Sequence, residues 1–173
     1  MIELEKTYLV KYLPPGLSGC RSKEIIDNYI PESSVDPVIR LRNVGGKYEI
    51  TKKEPVDEND PAHQIEQTIV LTETEFNEFS KLGGKMLHKI RYLYPCNGRT
   101  AEVDVFQGAL SGLVVADFEF DDRAELDSFE MPDFCLDDVT DEVFIAGFRL
   151  SGMCYGDIGG KLARFGYKKL SVD

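Results

Sequence analysis

Like-charged side chains recur two residues apart along this chain: Glu3 and Glu5, Arg40 and Arg42, Lys89 and Arg91, Glu102 and Asp104, Asp117 and Glu119. Lys53 and Glu66 add single charges within similar stretches. Two chemistries suit such a collection. Guanidinium groups take up phosphate oxygens in a bidentate fork, and ammonium groups serve as point charges for the same anions. Paired carboxylates repel each other and any nearby anion, and they suit hard divalent cations, which prefer oxygen ligands.

A spacing of two places side chains on one face only in a β-strand. Alternation over residues 2–11, 38–42, 47–53, 64–71, 88–94, 101–106 and 112–120 predicts strands there. In the first, Glu3, Glu5 and Thr7 share a face, opposite Ile2, Leu4, Lys6, Tyr8 and Val10. Pro14-Pro15-Gly16, Gly45-Gly46, a loop with Pro55 and Pro61, Asn97-Gly98 and the stretch from Gly108 to Gly112 supply turns, so most sequence neighbours pair antiparallel. One helix interrupts them. Thr72 and Glu75 form its capping box, Gly83-Gly84 stops it, and Phe76, Phe79 and Leu82 share a face, the two phenylalanines read as core. Two more helices are expected near residues 140–150 and 157–165. Alternation alone leaves open whether the charged faces point out to water, the commoner case, or inward to a tunnel.

The 173 residues, 42% hydrophobic, are expected to form one domain spanning residues 1–173. No stretch approaches the roughly 18 apolar residues of a membrane helix, and Glu3, Glu5, Lys6 and Lys11 stand where a signal peptide would be apolar, so a cytoplasmic protein is expected, with no membrane partner. The net charge of −11 has one source: residues 117–142 hold twelve acids and a single base, Arg123, while the rest of the chain is balanced. From Asp121 onward this run reads as a solvated acidic face. Cys20, Cys96, Cys135 and Cys154 are scattered and without C-x-x-C spacing, which predicts reduced thiols and no structural zinc. His63, in a Pro-rich loop, and His88, on the apolar face of a strand, read as structural. Gly156-Asp157-Ile158-Gly159-Gly160-Lys161 is no phosphate loop, because Tyr155 and Leu162 occupy its required Gly and Ser or Thr positions.

The order of the fragments carries further information. Glu3-Leu4-Glu5-Lys6-Thr7-Tyr8-Leu9-Val10 resembles the E-x-E-x-K strand that opens the CYTH, or triphosphate tunnel metalloenzyme, family. Ile25-Ile26-Asp27-Asn28-Tyr29-Ile30 is similar to that family's second-strand motif, and Ile39-Arg40-Leu41-Arg42 with Gly45 resembles its paired-arginine strand. Ile50-Thr51-Lys52-Lys53 resembles the L-T-x-K segment, and Glu66 falls where the family has a glutamate before its first long helix. Lys89-Ile90-Arg91-Tyr92, Glu102-Val103-Asp104-Val105-Phe106, Leu113 through Glu119, and Pro132 through Thr140 complete the series across almost the whole chain.

That resemblance implies an α+β fold, a closed antiparallel β-barrel whose charged residues point into a tunnel while helices pack outside. It implies phosphate binding by Arg40, Arg42, Lys53, Lys89 and Arg91, and Mg²⁺ or Mn²⁺ held by Glu3, Glu5, Glu66, Asp104, Asp117 and Glu119. Glu5, Asp117 and Glu119 then stand at the catalytic centre, with metal-assisted in-line attack of water on a terminal phosphorus and no side-chain nucleophile. The expected ligand is inorganic triphosphate, a small organic triphosphate or a nucleotide. A nucleic-acid duplex is not expected, since the basic residues read as tunnel-lining. Dimers occur in the family, so a homodimer is a further expectation.

The sequence departs from the family at four places. Thr7 stands at the motif lysine, and Lys6 lies on the opposite strand face. Asp117 replaces a glutamate, and Ile145 and Gly147 replace a tyrosine and an asparagine. Lys161, Arg164, Lys168 and Lys169 are candidates for the basic residue that closes the tunnel. The leading reading is a metal-dependent triphosphatase. Class IV adenylate cyclase is its rival among enzymes, and a non-catalytic polyphosphate or nucleotide binder, favoured by Thr7, is the rival outside them.

Overall fold

The computed structural model describes residues 2–35, 39–57 and 62–171. Among these residues nine strands form one antiparallel sheet: β1 (Ile2–Val10), β2 (Ser22–Ile30), β3 (Ile39–Val44), β4 (Lys47–Pro55), β5 (His63–Leu71), β6 (Lys85–Cys96), β7 (Arg99–Phe106), β8 (Val114–Phe120) and β9 (Cys135–Asp138). Their order is β5-β4-β3-β2-β6-β7-β8-β1-β9, and a further β1–β5 pairing closes the first eight into a barrel. Hairpin turns fall at the expected punctuation, including Asn97 (φ 49°) and Gly98 (φ 79°), a pair suited to the positive dihedrals of a two-residue hairpin. Val38, expected to open the third strand, and Pro61, expected in the loop before the fifth, lie outside the described residues.

Seven strands match the alternation, with ends that differ by a few residues. β2 and β9 do not show it. The last expected strand begins at Val114 instead of Gly112, and His63 opens β5 instead of sitting in a loop. His88 lies on the outer face of β6, half-exposed, 2.8 Å from Glu24.

The first helix, α1 (Glu73–Ser80), carries the expected capping box between Thr72 and Glu75. It lies outside β3, β4 and β5. Its apolar face is less covered than expected. Phe76 is half-buried and packs tilted against Tyr48 with ring centroids 4.7 Å apart, but Phe79 is 39% and Leu82 64% exposed. Phe79 is therefore not core, because a single short helix on a curved barrel wall covers only the residues directly beneath its axis.

Helix α2 (Arg123–Ser128) is capped by the Asp122 side chain and sits outside β1 and β8. Leu126, Phe129 and Phe134 press onto the outward residues Tyr8, Ala116, Phe118 and Phe120, while Asp121, Asp127, Glu130 and Asp133 face water. The acidic run is thus an amphipathic cover. The helix expected near residues 140–150 resolves into a 3₁₀ turn (Val143–Ile145) and the one-turn α3 (Gly147–Leu150), followed by α4 (Tyr155–Ala163). The glycine-rich stretch from Gly156 lies inside α4.

The apolar side chains of this C-terminal segment fill one end of the barrel. Phe144, Leu150, Ile158 and Leu162 pack with Leu9, Tyr29, Leu87, Phe106 and Val115. Those five strand residues share the faces of the tunnel charges, as the pairings Leu9–Val115, Asp104–Val115, Lys89–Phe106, Asp27–Leu87 and Tyr29–Arg40 require. Burying each such side chain contributes about 1.5–3 kcal/mol, so the helices add a plug to the cover expected outside. No helix among the described residues is long and apolar enough to cross a membrane.

Candidate active site in the charged half of the barrel

Register decides which way the charges point. Cross-strand partners share a face, and the ladder pairs Glu5 with Glu119, Thr7 with Asp117, Glu102 with Asp117, Arg91 with Asp104, Asp27 with Arg42, Arg40 with Thr51, and Lys53 with Glu66. The opposite faces of β1, β7 and β8 carry Tyr8, Val10, Ala101, Val103, Val114, Ala116 and Phe118, buried beneath the outer cover. The charged face is therefore the inner one, and every sequence-predicted site residue lies on it. Lys6 pairs with Phe118 in an unbroken ladder and faces outward, so no bulge brings it to the place of the missing lysine.

Each of the five candidate phosphate-binding cations already has a carboxylate partner. Arg42 holds Asp27 through Nε and Nη2, at 2.7 and 2.8 Å. Arg91 takes Asp104 at 2.6 Å, reaches Asp117 at 3.2 Å and contacts Glu102, while Lys89 contacts Asp104 from the other side. Lys53 bridges Glu3 and Glu5 at 3.0 and 2.8 Å, and Arg40 meets Glu66 at 3.1 Å. Gln64 also donates to Glu5, at 3.1 Å.

These contacts divide the acids into two electrostatic classes. Burial alone would raise the carboxyl of Asp104, but Arg91 and Lys89 hold it well below the usual carboxylate range. Asp27 is held low in the same way, by Arg42 against burial. Asp117 goes the other way. Burial, with Asp104 and Glu5 nearby, pushes it up to about 6. Glu119 is raised by burial and by Glu102, Glu3 and Glu5, and it has no ion pair among the described residues. Thr7 stands beside the raised Asp117 on the neighbouring strand. Its Oγ1 donates to Asp117 Oδ1 at 2.8 Å, and its backbone N–H donates to Thr140 Oγ1 at 3.0 Å.

Five carboxylates, Glu3, Glu5, Glu102, Asp117 and Glu119, thus crowd the side of the barrel away from the plug. Their mutual repulsion and hard oxygen donors fit a divalent cation such as Mg²⁺ or Mn²⁺. No three acidic, His or Cys groups among the described residues converge in metal-binding geometry, because Lys53 and Arg91 draw several of the acids toward themselves. At the mouth, an open cleft of about 470 Å³ runs past Glu3 and Glu119 to Arg99 and Thr100.

Asp27 and Glu102 take part in this network without having been among the assigned site residues. Glu102 was visible as the partner of Asp104 two residues on, whereas Asp27 has no like-charged residue at that spacing. The C-terminal bases do not enter the tunnel. Lys161, Arg164, Lys168 and Lys169 are exposed, with Arg164 paired to Glu142 at 3.1 Å, and Lys161 and Lys169 lying over the Phe144 and Tyr155 rings. Helix α4 turns Ile158 and Leu162 toward the barrel, which leaves its cations on the solvent side. Gly147 fits its place for a steric reason, since a Cβ there would overlap the Tyr29 hydroxyl.

No family model and no curated protein matches the sequence. Solved structures do. A crystal structure of the inorganic triphosphatase NE1496 shares 25% identity over 87% of this chain and 94% of that one, with a TM-score of 0.64. A second structure of NE1496 gives 25% identity over 88% and 99%, with a TM-score of 0.65. The PH1012 protein of Pyrococcus horikoshii OT3 superposes more loosely, at 18% identity over 96% and 92% and a TM-score of 0.49. With an eight-stranded barrel whose charged side chains point inward, and with the NE1496 structures matching it along almost their whole length, the chain is a protein of the CYTH, or triphosphate tunnel, fold.

Proposed function

We propose that this chain is a divalent-metal-dependent triphosphatase acting on inorganic triphosphate or the triphosphate end of a small organic molecule. The observation that carries this reading is the inward convergence of Arg40, Arg42, Lys53, Lys89 and Arg91 with Glu3, Glu5, Glu66, Asp104, Asp117 and Glu119 in one barrel half. A triphosphate carries about four negative charges near neutral pH, more than one or two side chains balance, and five cations on three strands match it. The 25% identity and near-complete coverage shared with an inorganic triphosphatase support the same reading.

Glu3, Glu5, Asp117 and Glu119 are the residues that would hold Mg²⁺ or Mn²⁺. When bound, such an ion supplies charge neutralisation at the phosphate oxygens and lowers the pKa of a coordinated water. The chain's own part is positional. Arg91 and Lys53 stand within reach of both the acids and the tunnel space, so release of their carboxylate partners turns them to phosphate. Asp27 and Asp104 keep Arg42 and Lys89 fixed while that exchange occurs. The apolar plug keeps water and ions from crossing the far end.

A binding role without turnover has one observation in its favour, the neutral Thr7 at the motif lysine. The test is phosphate release from inorganic triphosphate and from ATP with Mg²⁺ or Mn²⁺, beside Glu5→Gln and Glu119→Gln variants. Metal-dependent release that falls by about 100-fold in either variant, the size expected for losing part of a metal's charge stabilisation, supports hydrolysis. Tight triphosphate binding without release of phosphate or cyclic AMP selects the binder, and cyclic AMP with pyrophosphate selects the cyclase.

A further inference from the structure

Lys53 differs from the other four tunnel cations in what holds it. Arg42 keeps Asp27, Lys89 and Arg91 keep Asp104, and Arg40 keeps Glu66, acids outside the set Glu3, Glu5, Asp117 and Glu119 whose oxygens would take a divalent ion. Among the described residues the ion pairs of Lys53 are to Glu3 and Glu5, at 3.0 and 2.8 Å, and both belong to that set. Lys53 is thus the cation that loses its carboxylates when the acids are claimed. Its side chain is only 21% exposed, and an unpaired charge in so enclosed a place is costly. Its cross-strand neighbour Glu66 is already engaged, by Arg40 at 3.1 Å and by Thr68 at 2.9 Å. The ladder to β5 fixes the backbone, so only the side chain is left to move.

An ammonium and a divalent cation compete for the same oxygens. We infer that Lys53 couples the two ligands of the tunnel: it occupies Glu3 and Glu5 until a polyphosphate draws it away, so divalent metal and polyphosphate load together and each alone binds weakly. The metal releases Lys53 to the anion, and the anion satisfies the ammonium that the metal displaces. Coupling between two binding events is reciprocal, so the anion strengthens metal binding by the same factor as the metal strengthens anion binding. Arg42 and Lys89, whose partners lie outside the set, contribute charge to the anion without taking part in this exchange.

This coupling rests on the reading that the tunnel takes a metal and a triphosphate, and its test separates the two. The full chain is titrated with Mn²⁺, with and without an imido-bridged triphosphate that resists hydrolysis, in the wild type, Lys53→Met and Lys53→Arg. Bound ion is read from the loss of the paramagnetic resonance signal of free Mn²⁺. Association of Mn²⁺ with the analogue in solution is common to the three proteins and cancels between them. In Lys53→Met, Mn²⁺ alone is expected to bind at least roughly tenfold more tightly than in the wild type, and its enhancement by the analogue to shrink at least roughly tenfold. Lys53→Arg keeps the wild-type enhancement. A lysine that merely neutralises the two acids in place also weakens Mn²⁺ alone, but its removal leaves the enhancement unchanged. That result overturns the coupling while triphosphate binding stands. A tunnel that fails to bind Mn²⁺, or fails to bind the analogue, overturns both. Should Lys53→Met unfold, as circular dichroism melting would show, the wild type decides. The nitrogen-15 resonance of the Lys53 ammonium, assigned by its loss in Lys53→Arg, is expected to shift with Mg²⁺ and the analogue together at concentrations at which Mg²⁺ alone leaves it in place. A resonance unmoved by the pair overturns the coupling.

Discussion

Thr7 donates a 2.8 Å hydrogen bond to Asp117 on the neighbouring strand, in a tunnel where Asp117 is the buried acid least able to hold its charge. A donor to the carboxylate favours the ionised form. Thr7→Val is therefore expected to raise the Asp117 pKa above its value of about 6. Hydrogen bonds to charged groups contribute about 1.5–3 kcal/mol, or roughly one to two pH units. Carbon-13 carboxyl titration of the metal-free protein reads this directly, with Thr7→Ser keeping the wild-type value. An unchanged titration in Thr7→Val would show that the hydroxyl does not support the charge.

Asp117 also sets an unusual pH dependence of stability. Its folded pKa lies above the ordinary aspartate value, so its contribution is fully present below about pH 4 and is lost as pH rises through about 6. Once ionised, it costs the fold up to about 3 kcal/mol. Asp117→Asn is accordingly expected to unfold at higher urea than the wild type at pH 8 in EDTA, with the difference vanishing near pH 4. Asp104 has the opposite sign. Its pKa is held low, so its contribution is present above the ordinary range and disappears in acid. A urea midpoint for Asp117→Asn at or below that of the wild type at pH 8 would count against this account.

Breaking the Arg42 fork should be costly. Asp27 is 1% exposed, and its two oxygens accept both Arg42 bonds. Asp27→Ala leaves a nearly buried guanidinium without its partner, a change that costs about 3–5 kcal/mol. Thermal unfolding is expected to drop by roughly 10 °C or more for a chain of this size. A drop of only a degree or two would mean that Arg42 finds water or another acid.

The plug gives a steric test. Gly147→Ala puts a methyl group into the space of the Tyr29 hydroxyl, and overpacking of this kind costs about 1–3 kcal/mol. Tyr29→Phe removes the clashing oxygen, so the double variant should recover most of the stability lost by Gly147→Ala. A thermal-melt cycle of the four proteins measures the coupling, and additive effects would place the strain elsewhere.

The charged pairs were legible because a barrel with a polar interior and a covered exterior imposes period two on its strands. What the sequence concealed depends on contacts between distant elements. Ser22–Ile30 carries Ile25 inside and Ile26 outside, so it shows no clean alternation, and its one buried acid, Asp27, has no like-charged neighbour to flag it. The motif resemblance marked this segment where periodicity did not. Phe79 sits at a core-like helical spacing, yet nothing local records that the barrel curves away beneath α1. The cations of α4 looked suitable for the tunnel by charge alone, but the apolar spacing of Ile158 and Leu162 faces them away from it. Nor does strand alternation show that every tunnel cation is matched to an acid, because those matches join strands far apart in the chain.

That matching bears on valence selectivity. Orthophosphate or chloride approaching Arg42, Arg91 or Lys53 competes with a carboxylate already seated there, and displacing one bond gains little. A longer anion engages several of these side chains at once, so displacements that are unprofitable singly become cooperative. Affinity should then climb steeply with the number of linked phosphates instead of in equal steps, leaving the tunnel largely indifferent to the abundant small anions around it.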